Sequence, residues 1–560
     1  MSFPQFINPI SIKNRRVMPM LKLGKTTTFA LAALLCATPV GAVAQDFKTG
    51  FKAAKAGDYA TAIKNWLPLA RKGNPDAQFN LGVFYLKGQG VKKSYAEAAK
   101  FFILAADQGD VTAQNYIGQM YANGTGVKKN DGEAARYLGL AVAQGHLDSH
   151  QLLGVLYNNG RGVEKNHTKA ARLLSFAASK GIASAQYDLG VMYNDGIGVK
   201  KNHAEAAKLY RLAADQGYAS AQFNLAMLYE RGEGVEVNQV TAAQYFFRAA
   251  KQGHVSAQYK LGVKAQKGEG VKQSNTDAVM FFRRASDKGF APAQFKLGMM
   301  YAGGKGVERS MAEAARLFLL AAQSGNKHAQ YNLGTMYDHG NGVEQSDIKA
   351  AKFYKLSAEQ GKLSAMVNLG AMYLEGRGIE KNAPEAAKLF QYAAKFGHAQ
   401  AQYNLGILYK SGNGVEQSDA KAAQLYKLSA DQGDALAMVN LGMMHANGQA
   451  VEQSYIKAVQ LYELSAKRGN ALAMVNLGAM YSKGKGVQQN FATAAKLYKL
   501  SADKGNTRAM VYLAMMHAKG KGVEQSDVET VRLIRLAAGK GNTKAKKILD
   551  NMVKAGHAKP

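Results

Sequence analysis

The polar residues of this 560-residue chain that could do chemistry stand in ladders whose rungs are 36 positions, or multiples of 36, apart. Asparagine recurs at Asn80, Asn224, Asn332, Asn368, Asn404, Asn440 and Asn476. Amides at such regular intervals can hydrogen-bond the backbone of an extended peptide, or else satisfy backbone groups between neighbouring helices. Cations recur at Lys100, Arg136, Arg172, Lys208, Arg316, Lys352, Lys388, Lys496 and Arg532. Three residues further on come Arg211, Arg283, Lys355, Lys427, Lys499 and Arg535. A spacing of three puts both rows on one helical face. They should form a basic stripe, suited to an anionic partner or simply solvated.

Turnover chemistry would need a convergent, unrepeated set of nucleophile, base and stabiliser. The chain has no Gly-x-Ser-x-Gly elbow and no HExxH pair, and nearly every polar residue belongs to a periodic row. The single cysteine, Cys36, leaves no disulfide framework and no thiolate metal site. His146 and His150 stand four apart but straddle a helix start without a carboxylate or Cys partner, and His445 and His517 take the slot that Tyr409 fills elsewhere. Gly24-Lys25-Thr26 lacks the upstream glycine and the strand of a phosphate loop. No catalytic residue, cofactor or metal site is expected.

The elements that must position the ladders follow from the period. Glycines recur every 36 residues from Gly73 through Gly433 to Gly541, enclosing thirteen complete repeats over residues 74–541. A fixed period of this size marks a stacked helical solenoid. In the repeat His398–Gly433 the first helix is predicted over Ala399–Lys410, with Ala401, Leu405, Leu408 and Tyr409 as its apolar stripe. Gly406 recurs in most repeats although a mid-helix glycine costs about 1 kcal/mol relative to alanine, which predicts a close approach of another backbone. Gly412-x-Gly414-Val415 then ends the helix and pins the loop. Ser418, always Ser or Asn in other repeats, should cap the second helix. Seven repeats add Asp or Glu three residues later, as in Ser94 with Glu97 and Asn202 with Glu205, which predicts a capping box. Ala422 and Ala423 allow tight packing, and Leu425, Tyr426 and Leu428 should fill the core. That leaves Asn404, Lys427 and variable first-helix positions such as Ile407 and Lys410 free to carry function. The repeat around Gly262 reads as the weakest, with Lys264 and Ala265 in slots that are otherwise apolar and tyrosine.

The two ends differ from the repeats. Residues 20–45 carry Lys22 and Lys25, an apolar stretch from Phe29 to Ala37, and Ala42-Val43-Ala44 before Gln45. This is the pattern of a cleaved export signal, with cleavage between Ala44 and Gln45, and its apolar run is too short to span a membrane. The nineteen residues before it fit a translation start at Met18 or Met20, or an unusually long n-region. Cleavage would remove five cations and no acid, taking the formal charge from +32 to +27. Residues 45–73, with the only tryptophan, Trp66, read as a capping helix pair, and residues 542–560 as a lysine-rich closing helix and tail. The mature chain has no predicted transmembrane segment.

At A-x-x-N-L-G-x-x-Y, then G-x-G-V, then A-A-x-x-Y-x-x-[SA]-A-x-x-G, the chain resembles the Sel-one-like repeat family, relatives of the tetratricopeptide repeats. The resemblance covers residues 74–541. It implies an all-α fold, a right-handed alpha-alpha superhelical solenoid of about thirteen 36-residue helix pairs plus end caps. It also implies a scaffold that binds proteins or peptides, with the first helices and their Asn row lining the concave face. Exported bacterial members are linked to host interaction and envelope signalling. One cysteine-rich branch is associated with penicillin binding and beta-lactamase activity, from which this cysteine-free mature chain departs. The expected function is a non-enzymatic, periplasmic or secreted protein-binding scaffold. Its alternatives are a binder of anionic envelope components, lipid headgroups or saccharides, through the basic stripe, and a beta-lactamase-like or cell-wall hydrolase. Nucleic acid is not an expected partner of an exported protein.

Overall fold

The computed structural model describes residues 41–555. Among these it contains 29 α-helices, from α1 (Gly41–Lys55) to α29 (Thr543–Lys554), and no strand. The fold is an all-α solenoid of tandem helix pairs, in two compact units divided between Arg284 and Ala285. Within each unit a helix packs on its neighbours in sequence, as the short loops demand. Most of the expected export signal, residues 1–40, lies outside the described residues. The backbone of Ala44 and Gln45 falls within α1, which begins at Gly41.

Helix boundaries have local causes, seen in α21 (Ala399–Ser411) and α22 (Asp419–Asp431). Gly412 ends α21 in the left-handed region, φ +71°, and its N–H donates to the Leu408 carbonyl at 2.8 Å. The Ser418 hydroxyl accepts the Lys421 N–H at 3.3 Å. Its own N–H donates to the Tyr409 carbonyl at 2.8 Å, and the same cap-to-first-helix bond recurs in every repeat, from Ser94–Tyr85 to Ser526–His517. That bond closes the loop, and it corrects the expected capping box. With the cap N–H already taken, Glu97 and Glu205 turn outward to Lys100 at 2.7 Å and Lys208 at 3.1 Å.

The glycine expectation holds in part. A Cβ on Gly406 would lie 2.7 Å from the ring of Tyr426, so a side chain presses closest there, while in other repeats a backbone carbonyl also comes near, Ala170 at 3.3 Å from the Cβ site of Gly154 and Ala314 at 3.3 Å from that of Gly298. Gly82 meets Phe102 and Gly262 meets Phe282 in the same way. The closer backbone approach is at the loop glycine, where a Cβ on Gly414 would run into the carbonyl of Ala383 in the preceding repeat. Ala450, which stands in this slot, is left-handed at φ +55° without being glycine.

The core consists of Ala401, Leu405, Leu408, Ala422, Ala423, Tyr426 and Ala430, all buried, and their equivalents, most of them buried too. Leu425 is partly buried against it. Leu428 is not part of it. It stands two residues, about 200°, round the helix from Tyr426, and it is 50% exposed. Neighbouring helices are stitched by polar bonds at the buried ends. Ser429 donates to the Ala399 carbonyl at 2.9 Å, and Gln432 donates to Gln402 at 2.7 Å.

Lys264 departs most from the core pattern. Only 1% exposed, it reaches back to Glu230 at 3.0 Å and Gln239 at 2.7 Å, with Lys260 on the other oxygen of Glu230 at 2.7 Å. The weak repeat is thus tied to its predecessor by charge.

At the N-terminal end, α1 and α2 (Tyr59–Arg71) bury Trp66, whose indole N–H donates to the Phe47 carbonyl at 3.2 Å. At the other end Ile548, Leu549 and Met552 of α29 pack on the last repeat. No helix among the described residues is long and apolar enough to cross a membrane.

Candidate interaction surfaces

The asparagine row lies half-buried on the first helices. Several of its amides have partners within the chain. Asn224 acts on the hydroxyls of Tyr187 and Tyr210, Asn368 on that of Tyr354, and Asn440 on those of Tyr403 and Tyr426, each easing the phenol downward against burial. Burial pushes the phenols of Tyr187, Tyr354 and Tyr426 up to about 12, so they stay protonated and able to donate. Asn80 donates to the Asp76 carbonyl at 2.9 Å, Asn404 accepts from Gln400 at 3.0 Å, and Asn332 reaches the Met299 sulfur at 3.2 Å. The Nδ2 of buried Asn476 has no protein partner, and the position 37 residues before it is Val439, where Asn440 has Tyr403. Asp188 takes an asparagine slot. Burial pushes its carboxyl up to about 6, against a 2.7 Å bond from Gln151.

Three residues from this row runs an exposed apolar one. Met299, Ile407, Met443 and Met515 are all exposed, and Leu436 joins them on the same first-helix side. Only Ile407 stood out in the sequence as unassigned. The others follow from the same register but were masked by the general abundance of apolar residues. Lys410 is tied to Asp419 of its own second helix at 2.9 Å.

The basic row on the second helices divides into two classes. Where the N-cap is followed by glutamate, the cation is paired three residues on: Lys208 with Glu205 at 3.1 Å, Arg316 with Glu313 at 2.6 Å, Arg532 with Glu529 at 2.5 Å. Exposed pairs of this kind contribute about 0–1 kcal/mol each, yet they cancel charge locally. Arg211 donates to the Tyr229 hydroxyl at 2.7 Å, and Arg535 is also engaged within the chain. Lys352, Lys355, Lys496 and Lys499 have no carboxylate within ion-pair reach among the described residues. Lys496, Lys499 and Arg532 come together at one cleft of about 440 Å³. Lys352 and Lys355 line another of about 350 Å³ with Ile348 and Leu356. The Arg532 hydrogen bond, opposed by burial and helped by His517 and Lys499, holds Glu529 below the usual carboxylate range.

His146 and His150 serve the fold. His146 caps a helix by accepting the Ser149 N–H at 3.3 Å, and His150 stacks on Phe176 at 4.4 Å. Among the described residues no cluster of His, Cys, Asp and Glu could hold a metal ion.

A Sel1 repeat model matches thirteen consecutive segments, beginning at residues 75–110 and ending at 507–542. Among solved structures, the chain is similar to c5321 of uropathogenic Escherichia coli, a protective antigen with an SLR fold. The two are 27% identical, with a TM-score of 0.65, over 87% of this chain and 97% of that one. It is also similar to a Sel1 repeat protein from Oxalobacter formigenes, 32% identical with a TM-score of 0.39, over 44% of this chain and 96% of that one. No curated protein matches the sequence.

Proposed function

The chain belongs to the Sel1 repeat family, whose repeats mediate protein interaction, and from that premise we propose that it is an exported, non-catalytic scaffold that captures a protein or peptide on the first-helix side. The observation that carries this reading is the exposed row of Met299, Ile407, Leu436, Met443 and Met515 beside half-buried amides. Flexible thioethers adapt to varied apolar partners, which suits an interaction surface. The amides supply a few directional bonds at its edge. Binding then rests on shape and many modest contacts along the ladder, and no bond in the partner is broken.

Export is supported by the Ala42-Val43-Ala44 pattern before Gln45 and is in keeping with the similar E. coli protein being a protective antigen. Mass spectrometry of the exported protein should find Gln45 at its N-terminus, and a retained Met1 would contradict export by cleavage. The scaffold reading itself is tested by affinity capture. A chain carrying Ile407→Ser, Met443→Ser and Met515→Ser should lose a partner that the unaltered chain retains, with its helical circular dichroism unchanged. Equal capture by both would overturn it.

A further inference from the structure

The opposite side of the C-terminal unit carries a second apolar row that the protein-binding reading does not use. On α28 (Asp527–Gly539), Val528, Arg532 and Leu536 stand at i, i+4 and i+8, on one face turned from the core. The same register holds Ile348, Lys352 and Leu356 on α18 (Asp347–Glu359), and Ala492, Lys496 and Leu500 on α26 (Phe491–Asp503). On α24 (Tyr455–Lys467) it holds Ile456, Gln460 and Leu464. Val528 is 81% exposed and Ile348 72%, and Leu428, Leu464, Leu500 and Leu536 are all exposed as well. A lone exposed leucine is ordinary, but a row repeated at one helical position in successive repeats marks an interaction surface. The cleft between α26 and α28 is lined by Ala492, Lys496 and Arg532 of this row with Lys499, Asp503 and Glu529, and Lys496 and Lys499 make no ion pair there. From Lys496 to Lys554 the chain has thirteen Lys and Arg against five Asp and Glu.

We propose that this second-helix face docks on an anionic lipid surface. On α18, α26 and α28 the pattern is apolar, cationic, apolar, which is what a headgroup boundary recognises, and on α24 glutamine takes the middle place. Leucine and β-branched side chains enter the acyl edge, while lysine stems lie along it with their ammonium groups at the phosphates. The combination of charge and exposed apolar groups selects the partner, because a bilayer presents anionic and apolar layers side by side along the whole row. The basic excess complements that charge.

The test is co-sedimentation of the full exported chain with vesicles of phosphatidylcholine alone and with added phosphatidylglycerol. Binding is expected only to the anionic vesicles, and it should weaken as salt rises. Each basic residue near such a surface contributes a factor of about five, so Lys496→Glu with Lys499→Glu should lower binding at least tenfold. Val528→Ser with Leu536→Ser should also lower it, at unchanged charge. The first-helix variant Met443→Ser should bind vesicles like the unaltered chain, so this result stands or falls apart from partner capture. Circular dichroism of each variant confirms folding. Absence of binding to anionic vesicles, equal binding to both vesicle types, or retention of polyglutamate in place of vesicles would overturn the proposal.

Discussion

The side-chain amide of Gln432 donates to the side-chain oxygen of Gln402 at 2.7 Å, and Gln402 donates in turn to the Ala394 carbonyl at 3.3 Å. One chain of two bonds thus joins the second helix of a repeat to its own first helix and to the repeat before. The pair recurs as Gln108 with Gln78 and as Gln360 with Gln330, always 30 residues apart. Gln294 breaks the pattern. Its oxygen is buried and unpaired, because the residue 30 positions on is Ser324, whose hydroxyl turns back to Leu320.

Ser324→Gln should complete that bridge. Satisfying one buried acceptor contributes on the order of 1 kcal/mol, so the melting transition should rise by that equivalent. Thermal unfolding of the variant checks it, and a lower melting temperature would mean the added side chain cannot reach Gln294.

Gly406→Leu should push the Tyr426 ring out of place and cost roughly 1–3 kcal/mol by overpacking. Gly406→Ala should cost less, since Ala226 and Ala514 occupy this slot naturally. An unchanged melting curve for the leucine variant would show that the ring is not seated there.

Removing one partner of the Lys264 cluster differs from removing its charge. Glu230→Ala leaves Lys264 ionised in the core and should cost about 3–5 kcal/mol, whereas Lys264→Met, the residue found in many repeats at this position, should be neutral or stabilising. Burial raises the Glu230 carboxyl but the bonds from Lys260 and Lys264 outweigh it, so its folded value lies below the unfolded one. Its contribution is therefore present above the unfolded carboxylate range and lost as pH falls through the depressed folded value. Denaturant unfolding of both variants across acid pH separates these outcomes.

Asp188 has the opposite sign. Its folded value, about 6, lies above the ordinary carboxylate value of 3.8, so the ionised form weakens the fold at neutral pH and stability should rise as pH falls from about 6 towards 4. Asp188→Asn, which restores the residue usual in the ladder, should stabilise by about 2–3 kcal/mol at pH 7. The gain should vanish below pH 4, where Asp188 is protonated in folded and unfolded chains alike. A gain independent of pH would contradict this.

The repeat length, the helix pairs and their caps were legible because Gly412, Ser418 and their equivalents act locally, through backbone conformation and short-range bonds. Partner choice was not. Ser94 and Glu97 have the spacing of a capping box, but the cap N–H finds the Tyr85 carbonyl first. Leu428 reads as core beside Tyr426 until the helical angle places it outside. The Asn and Lys rows were visible as rows, while the tyrosines beside the Asn row lie 14 and 37 residues away, as Tyr426 and Tyr403 do for Asn440, and the glutamates of the basic row, three residues off, read as capping-box partners.

The central claim is that partners are held on the first-helix side. It is tested most directly by placing a photo-crosslinking residue at Met443 and, in a separate chain, at Leu500, then irradiating each with the envelope fraction. The account predicts a discrete protein adduct from position 443 and none from position 500. An adduct from position 500 with none from 443 would contradict it.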